Sequence, residues 1–181
     1  MGALVTPVAL ALVSDAESGL QAVRRGATML LLRAPELSTR QEEVELRRLV
    51  DASPVPVLAR SRCDVALAVG AAGVHLPEVD IPTVDARALL GPERLLGRSV
   101  HSLEAAKQAE AEGADYVLFG PVFPTASHPG QPPVGLGALR EVCLGVRIPV
   151  LAIGGVDDDR SQECLVAGAQ GFAAIGYFQR R

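Results

Sequence analysis

Short apolar runs alternate along this chain with longer segments that mix polar and apolar residues at helical spacing. The runs are continuous rather than strictly alternating, which is typical of strands covered on both faces in a parallel sheet. They recur at intervals that leave room for one helix each. We predict strands at Val8–Val13, Met29–Leu32, Val55–Ala59, Gly73–Leu76, Leu95–Val100, Tyr116–Phe119, Pro149–Ile153 and Phe172–Ile175.

The intervals carry the signals of helix starts and stops. Thr39 and Glu42 predict a capping box for a helix running to about Ala52. Ser102 is expected to cap a further helix, and Asp157 or Asp158 another. Glycine just past a helix takes the left-handed conformation that ends it, and a Gly-Ala pair follows four of the intervals. These glycines are Gly26, Gly70, Gly113 and Gly168. Shorter helices are predicted at Ala16–Arg25, Asp64–Val69, Val84–Leu90 and Leu136–Cys143.

Strand and helix alternating in this way predict a (β/α)8 TIM barrel, forming a single domain over residues 1–181. A doubly wound parallel sheet is the alternative, because 181 residues is short for eight units. The chain stops at Arg181, just after the last predicted strand, so we expect the C-terminal helix to be missing or truncated to one turn. Such a barrel exposes an apolar flank that a second subunit would bury.

Composition narrows the class of protein. Hydrophobic residues make up 49% of the chain but aromatic residues only 3%, so aliphatic side chains must fill the core. A formal charge of −4 argues against a general attraction to nucleic acid or to an anionic membrane. No apolar run approaches the roughly 18 residues of a membrane span. Cys63, Cys143 and Cys164 are odd in number and lack metal-ligand spacing, which predicts reduced thiols in a cytoplasmic protein.

In a TIM barrel the chemistry lies at the carboxyl ends of the strands. The loops after the seventh and eighth strands are the habitual phosphate site, where bare main-chain amides hold the anion. The sequence therefore predicts an enzyme or binder of a small phosphorylated molecule. Arg33 ends an apolar strand, where an unpaired charge would be costly, so we expect it to meet an anion or to form a salt bridge. The candidate binding residues are Arg33, Arg60, Ser99, Thr125, Gly154, Gly155, Ile175 and Gly176.

Several motifs together resemble the thiamine phosphate synthase and TenI superfamily over nearly the whole chain. They include Leu12–Asp15, Arg62–Ala66, Gly73–Leu76, Gly97–Ser102, Gly113–Thr125 and Ala152–Gly155. The resemblance implies a (β/α)8 barrel that binds a thiazole phosphate, usually as a homodimer. In the synthase branch, a pyrimidine diphosphate is joined to the thiazole with loss of magnesium-bound pyrophosphate. In the TenI branch, some members aromatise the thiazole by moving a proton.

This chain departs from the synthase pattern at three places. That pattern has Gln-x-Arg-x-Lys after the second strand, Asn-Asp after the third and a lysine in the sixth loop. The corresponding residues here are Leu31, Arg33 and Pro35, then Arg60 and Ser61, then His128. Asp80 matches the second metal carboxylate but lacks its partner, so Mg²⁺ is expected at Asp80 only if the protein is a synthase. Because expelling diphosphate needs a metal and fixed cations, these departures favour the TenI branch.

The resulting prediction is a TenI-like thiazole tautomerase that uses no cofactor. The family's proton-transferring histidine is replaced by Pro121, so His128 or His101 would act as the base. His75 is expected to be structural, and Arg62 with Asp64 to form a helix-start pair. Two alternatives stay open: a thiamine phosphate synthase with an altered diphosphate site, and a non-catalytic protein that senses or delivers the thiazole phosphate. Closure of the Phe123–Val134 loop over a ligand is a further open question.

Overall fold

Eight parallel strands close into a barrel in the computed structural model, which describes residues 6–125, 130 and 132–179. Each strand pairs with its neighbours in chain order, and the first pairs with the last. The closed ring confirms the predicted barrel and excludes the doubly wound sheet. The strands are β1 (Val8–Val13), β2 (Met29–Leu32), β3 (Val57–Arg60), β4 (Gly73–Leu76), β5 (Leu95–Val100), β6 (Tyr116–Phe119), β7 (Val150–Ile153) and β8 (Gly171–Ala174).

A helix follows each of the first seven strands and packs against the outside of the ring. These helices are α1 (Ala16–Arg24), α2 (Thr39–Ala52), α3 (Cys63–Val69), α4 (Thr83–Leu90), α5 (Leu103–Ala111), α6 (Gly135–Gly145) and α7 (Asp158–Val166). After β8 the described chain forms one turn of 3-10 helix, Tyr177–Gln179. Phe178 in that turn is buried and stacks on Phe172 at 6.2 Å between ring centroids.

Most predicted boundaries hold, and the exceptions have local causes. Ser102 and Asp157 cap α5 and α7 as expected. The capping box of α2 lies one residue earlier than predicted, because Ser38 takes the extended cap conformation and its N–H donates to Gln41 Oε1 at 2.9 Å. Strand β3 begins two residues later than predicted and includes Arg60, whereas Ile175 lies just past β8. The four predicted helix-ending glycines all have positive φ, namely Gly26, Gly70, Gly113 and Gly168.

Side chains of the strands alternate between the barrel interior and the helix layer. On β2, Leu31 belongs to the interior cluster, whereas Leu30 and Leu32 pack with the helices. The same parity places Leu58 of β3 inside the ring. Because the period is two, the residue two positions beyond each interior leucine also faces inward, at the carboxyl end of the barrel. This rule carries Arg33 and Arg60 into the mouth of the barrel.

The three cysteines are free, and burial raises the pKa of Cys143 and of Cys164 to about 11. Within the described ranges, no helix has both the length and the apolar character that crossing a membrane demands.

An arginine at the amino end of the barrel joins three elements. The Arg87 guanidinium on α4 contacts Asp115 Oδ2 at 2.6 Å and donates to the carbonyl oxygens of Gly113, Gly91 and Arg94. Asp115, just before β6, also accepts from the N–H of Leu96 on β5 at 2.7 Å. The two side chains are 20% and 13% exposed, so removing either one leaves buried polar groups without a hydrogen-bond partner.

We predict that Arg87→Met lowers the free energy of unfolding by about 3 kcal/mol, because Asp115 and three carbonyl groups lose their donor. Arg147→Met is the matched control: Arg147 is 94% exposed and 3.6 Å from Glu110. The control should change stability by less than about 0.5 kcal/mol. Urea unfolding followed by circular dichroism measures both, and equal effects of the two substitutions would contradict the assigned role of Arg87.

Candidate active site

A cavity of about 770 Å³ opens at the carboxyl end of the barrel. The structure therefore brings the sequence-predicted residues of the described chain together in one place, although their binding roles stay predictions. His128 lies outside the described residues, as do 126, 127, 129 and 131 of the same loop. The predicted residues that line the cavity are Arg33, Arg60, Ser99, His101, Thr125, Gly154, Gly155, Ile175 and Gly176.

Main-chain donors form one end of the cavity, in the loops after β7 and β8. Gly155 has a φ of +66°, and a Cβ there would lie 2.4 Å from the carbonyl oxygen of Pro124. A side chain at this position would therefore be strained and would push away the loop that carries Thr125. No described residue accepts a hydrogen bond from the N–H groups of Gly154, Gly155, Ile175 or Gly176. Open amides of this kind are the donors from which anion-binding concavities are built in proteins.

Arg160 adds a positive charge to this end and was missed by the sequence reasoning. It donates to the carbonyl oxygen of Gly155 at 2.8 Å, and its guanidinium carbon lies 5.0 Å from the Phe123 ring centroid. Asp157 is 3.6 Å away. Arg160 thus ties the loop after β6 to the loop after β7. Its place in the first turn of the helix behind the glycine pair is the signal that could have identified it.

Two further arginines stand across the mouth, on neighbouring strands. Leu32 pairs with Ala59 in the sheet register, so the next residues, Arg33 and Arg60, lie side by side. Neither guanidinium makes a hydrogen bond or an ion pair with a described residue. The expectation that a bare charge at Arg33 would be costly was wrong, because its side chain is exposed at the mouth.

The charges that line the cavity differ in sign from the chain as a whole. Arg33, Arg60 and Arg160 line it together with a single described carboxylate, Glu78, in a protein whose formal charge is −4. A cavity with an excess of one sign of charge concentrates ligands of the opposite sign. The site therefore suits a ligand with negative charge at both ends.

The donor set does not fit Mg²⁺. Asp80 Oδ1 accepts from the N–H of Ile81 at 2.7 Å, and Asp80 does not line the cavity. The pair after β3 is Arg60 and Ser61, which offers a guanidinium where a magnesium ion needs carboxylate oxygen. Over residues 6–125, 130 and 132–179, no three His, Cys, Asp or Glu side chains are grouped to hold a metal.

A buried polar chain forms the floor of the cavity. His75 Nδ1 lies 3.1 Å from the hydroxyl oxygen of Tyr116, and His75 Nε2 lies 2.8 Å from Ser99 Oγ. Burial, and then the charges of Arg60 and Arg98, lower the pKa of His75 to about 3, so the ring is neutral. Burial likewise raises the pKa of Tyr116, which keeps its proton. His75 bonds to these two side chains rather than to backbone and also lines the cavity, so its predicted structural role stays a prediction.

The direction of these hydrogen bonds follows from satisfying every buried group. His75 Nδ1 is the one partner of the buried Tyr116 hydroxyl in the described chain, so that hydroxyl donates to Nδ1. His75 Nε2–H then donates to Ser99 Oγ, and the Ser99 hydroxyl proton is free to turn into the cavity. Gly97 makes the contact possible, because a Cβ there would lie 2.4 Å from the Tyr116 oxygen.

His101 lies on the rim with a carboxylate partner. His101 Nδ1 bonds to the carbonyl oxygen of Gly120, and its Nε2 lies 3.5 Å from Glu78. Arg98 fixes the loop that carries Glu78 by donating to the carbonyl oxygens of Glu78 and Ile81. With Nδ1 as the donor, Nε2 is the nitrogen that can accept a proton.

The remaining charged pair that the sequence singled out is structural. Arg62 forms a two-point contact with Asp64 at 2.8 and 2.7 Å, at the start of α3. This contact lowers the pKa of Asp64 to about 2. The predicted helix-start pair is confirmed.

Comparison with known proteins finds relatives that are similar in sequence over most of this chain. A sequence model described as "Thiamine monophosphate synthase" matches residues 3–178. A protein of Chloroflexus aurantiacus named thiamine-phosphate synthase is 43% identical over 158 residues, covering 85% of this chain and 73% of its own length. A protein of Aquifex aeolicus named putative thiamine-phosphate synthase 2 is 41% identical over 159 residues, covering 86% of this chain and 85% of its own length.

A solved structure supports the same assignment. The thiamine phosphate pyrophosphorylase from Pyrococcus furiosus superposes with a TM-score of 0.82 at 37% identity. The superposition covers 94% of this chain and 87% of the other.

We predict that acid destabilises the protein through His75. The folded pKa of about 3 lies below the ordinary 6.5, so only the unfolded chain takes up the proton as the pH falls. This loss amounts to about 2 kcal/mol between about pH 7 and about pH 5. His75→Gln should remove that part of the pH dependence, because His101 and His128 remain in both proteins. Urea unfolding at the two pH values measures this change. If both proteins lost the same free energy of unfolding between about pH 7 and about pH 5, a neutral buried His75 would be refuted.

Proposed function

The chain belongs to the thiamine monophosphate synthase family, and from that premise we propose that it joins a thiazole phosphate to hydroxymethylpyrimidine diphosphate, releasing pyrophosphate. The named relatives favour this synthase alternative over the tautomerase that the sequence departures suggested. Both candidate activities, the synthase and the tautomerase, belong to thiamine biosynthesis.

The observation that carries the proposal is a single cavity lined by open main-chain amides at one end and by two arginines at the other. Open main-chain amides near Gly155 and Gly176 form one end, and the Arg33 and Arg60 guanidinium groups form the other. A substrate pair with one phosphate and one diphosphate supplies an anion for each end. A tautomerase with a single phosphorylated ligand would leave the arginine end unused.

The reaction is a displacement in which one bond forms and one breaks. The thiazole ring nitrogen supplies the electron pair for a new bond to the pyrimidine methylene carbon. The bond from that carbon to the diphosphate oxygen breaks, and pyrophosphate leaves with its electrons. The protein's part is to hold the two reactants in line and to stabilise the charge that develops on the leaving oxygen. Arg33 and Arg60 face that charge, while the free proton of Ser99 is available to a ring nitrogen or oxygen.

A second candidate function has one specific observation in its favour. His101 Nε2 is the acceptor nitrogen at the rim, 3.5 Å from Glu78, so it can remove a proton from a bound thiazole. That arrangement supports the tautomerase originally predicted, with His128 as the other candidate base. A non-catalytic binder would keep the phosphate end and show neither reaction.

We predict that the purified protein releases pyrophosphate from the two substrates in buffer containing magnesium, measured by a coupled phosphate assay. Gly155→Ala should raise the KM for the thiazole phosphate at least about tenfold, because the strained residue displaces the amides and the Pro124 loop. Gly137→Ala is the matched control, since a Cβ there meets nothing within 4 Å. Isomerisation of the thiazole without pyrophosphate release would establish the tautomerase instead.

A further inference from the structure

We propose that the cavity binds the diphosphate group through Arg33 and Arg60 alone, so that the guanidinium pair replaces the divalent cation of the family's synthases. This inference rests on the proposed function, and it names which residues of this chain hold the leaving group. It starts from the mismatch between the donor set and magnesium.

The first argument is geometric. Arg33 directly follows β2 and Arg60 ends the adjacent strand β3, and each lies two residues beyond an interior leucine. Adjacent strands lie about 4.8 Å apart, so the two side chains start side by side and enter the same mouth. Each guanidinium offers a planar fork of N–H donors, and two forks can hold the oxygens of both phosphoryl groups.

The second argument concerns competition for the two guanidiniums. No described acidic side chain lies within ion-pair distance of either arginine. Glu42, in the first turn of α2, interacts with Arg60 electrostatically without a direct contact, and it does not line the cavity. Glu78, which does line it, faces His101 instead. A diphosphate therefore has no protein carboxylate to displace.

The third argument concerns the metal. A guanidinium at position 60 repels a divalent cation at the place where relatives of the synthase branch are expected to present Asn-Asp. Magnesium also neutralises free pyrophosphate, which weakens the attraction of the ligand to arginine. The arginine pair and a magnesium ion are thus alternatives at this site. Magnesium should not improve binding to this protein.

The residue after Arg60 allows a test in which the carboxylate of the synthase pattern is put back. Ser61 has a φ of +64°, a left-handed conformation that aspartate tolerates better than most residues. The double substitution Arg60→Asn with Ser61→Asp restores the carboxylate without adding backbone strain. We expect this variant to need magnesium for pyrophosphate binding.

The test is isothermal titration calorimetry of the full chain with inorganic pyrophosphate, at constant ionic strength, in buffer stripped of metal by a chelating resin. The wild type should bind at least as tightly in metal-free buffer as with added magnesium. Arg60→Ala should weaken metal-free binding about tenfold or more, and Arg60→Lys by less. Arg147→Ala, at the opposite end of the barrel, is the matched charge control and should not change the affinity.

Two results would overturn the inference: pyrophosphate binding by the wild type only when magnesium is present, or undiminished metal-free binding by Arg60→Ala. The coupled assay separates this from the proposed function. Pyrophosphate release that needs magnesium would contradict the inference and support the proposed transferase activity. Tight metal-free binding that depends on Arg60, without any pyrophosphate release, would contradict the transferase activity and support the arginine site.

Discussion

The site depends on one geometric constraint, the alternation of side chains along a strand whose two faces are both buried. In a closed parallel ring, one parity fills the interior and the other packs under the helices. The inward-facing residues cannot all be apolar up to the carboxyl end of each strand, because the last of them meet solvent at the mouth of the barrel. Arg33 and Arg60 lie at this limit, directly above Leu31 and Leu58. A shift of one residue in either strand would turn its arginine into the helix layer.

The same constraint explains why the barrel has a polar floor. His75, Ser99 and Tyr116 are interior positions on three neighbouring strands, β4, β5 and β6. A buried phenol and imidazole would be costly without partners, and they satisfy each other. The room for this pair comes from Gly97, whose missing side chain leaves the space between them. The network therefore fixes Ser99 at neutral pH without carrying a charge.

Much of this architecture could be predicted from local sequence, and the features that could not be predicted have physical reasons. Runs such as Met29–Leu32 and Tyr116–Phe119 match the strands they predict, because burial on both faces leaves a continuous apolar signature. The helix cap was misplaced onto Thr39 because Ser38 offers the same chemistry one residue earlier. The Tyr116–His75 contact and the packing of Arg160 on Phe123 depend on partners far away in the sequence, so no local pattern could reveal them.

The central claim is that one cavity holds two anions at two chemically different ends, amides at one and arginines at the other. A crystal structure of the protein with thiazole phosphate and pyrophosphate bound together tests this most directly. The account predicts the thiazole phosphate against the amides of Gly155 and Gly176, with pyrophosphate between Arg33 and Arg60 and no metal ion beside it. Both anions at the same end, or a pyrophosphate held through magnesium at Asp80, would contradict it.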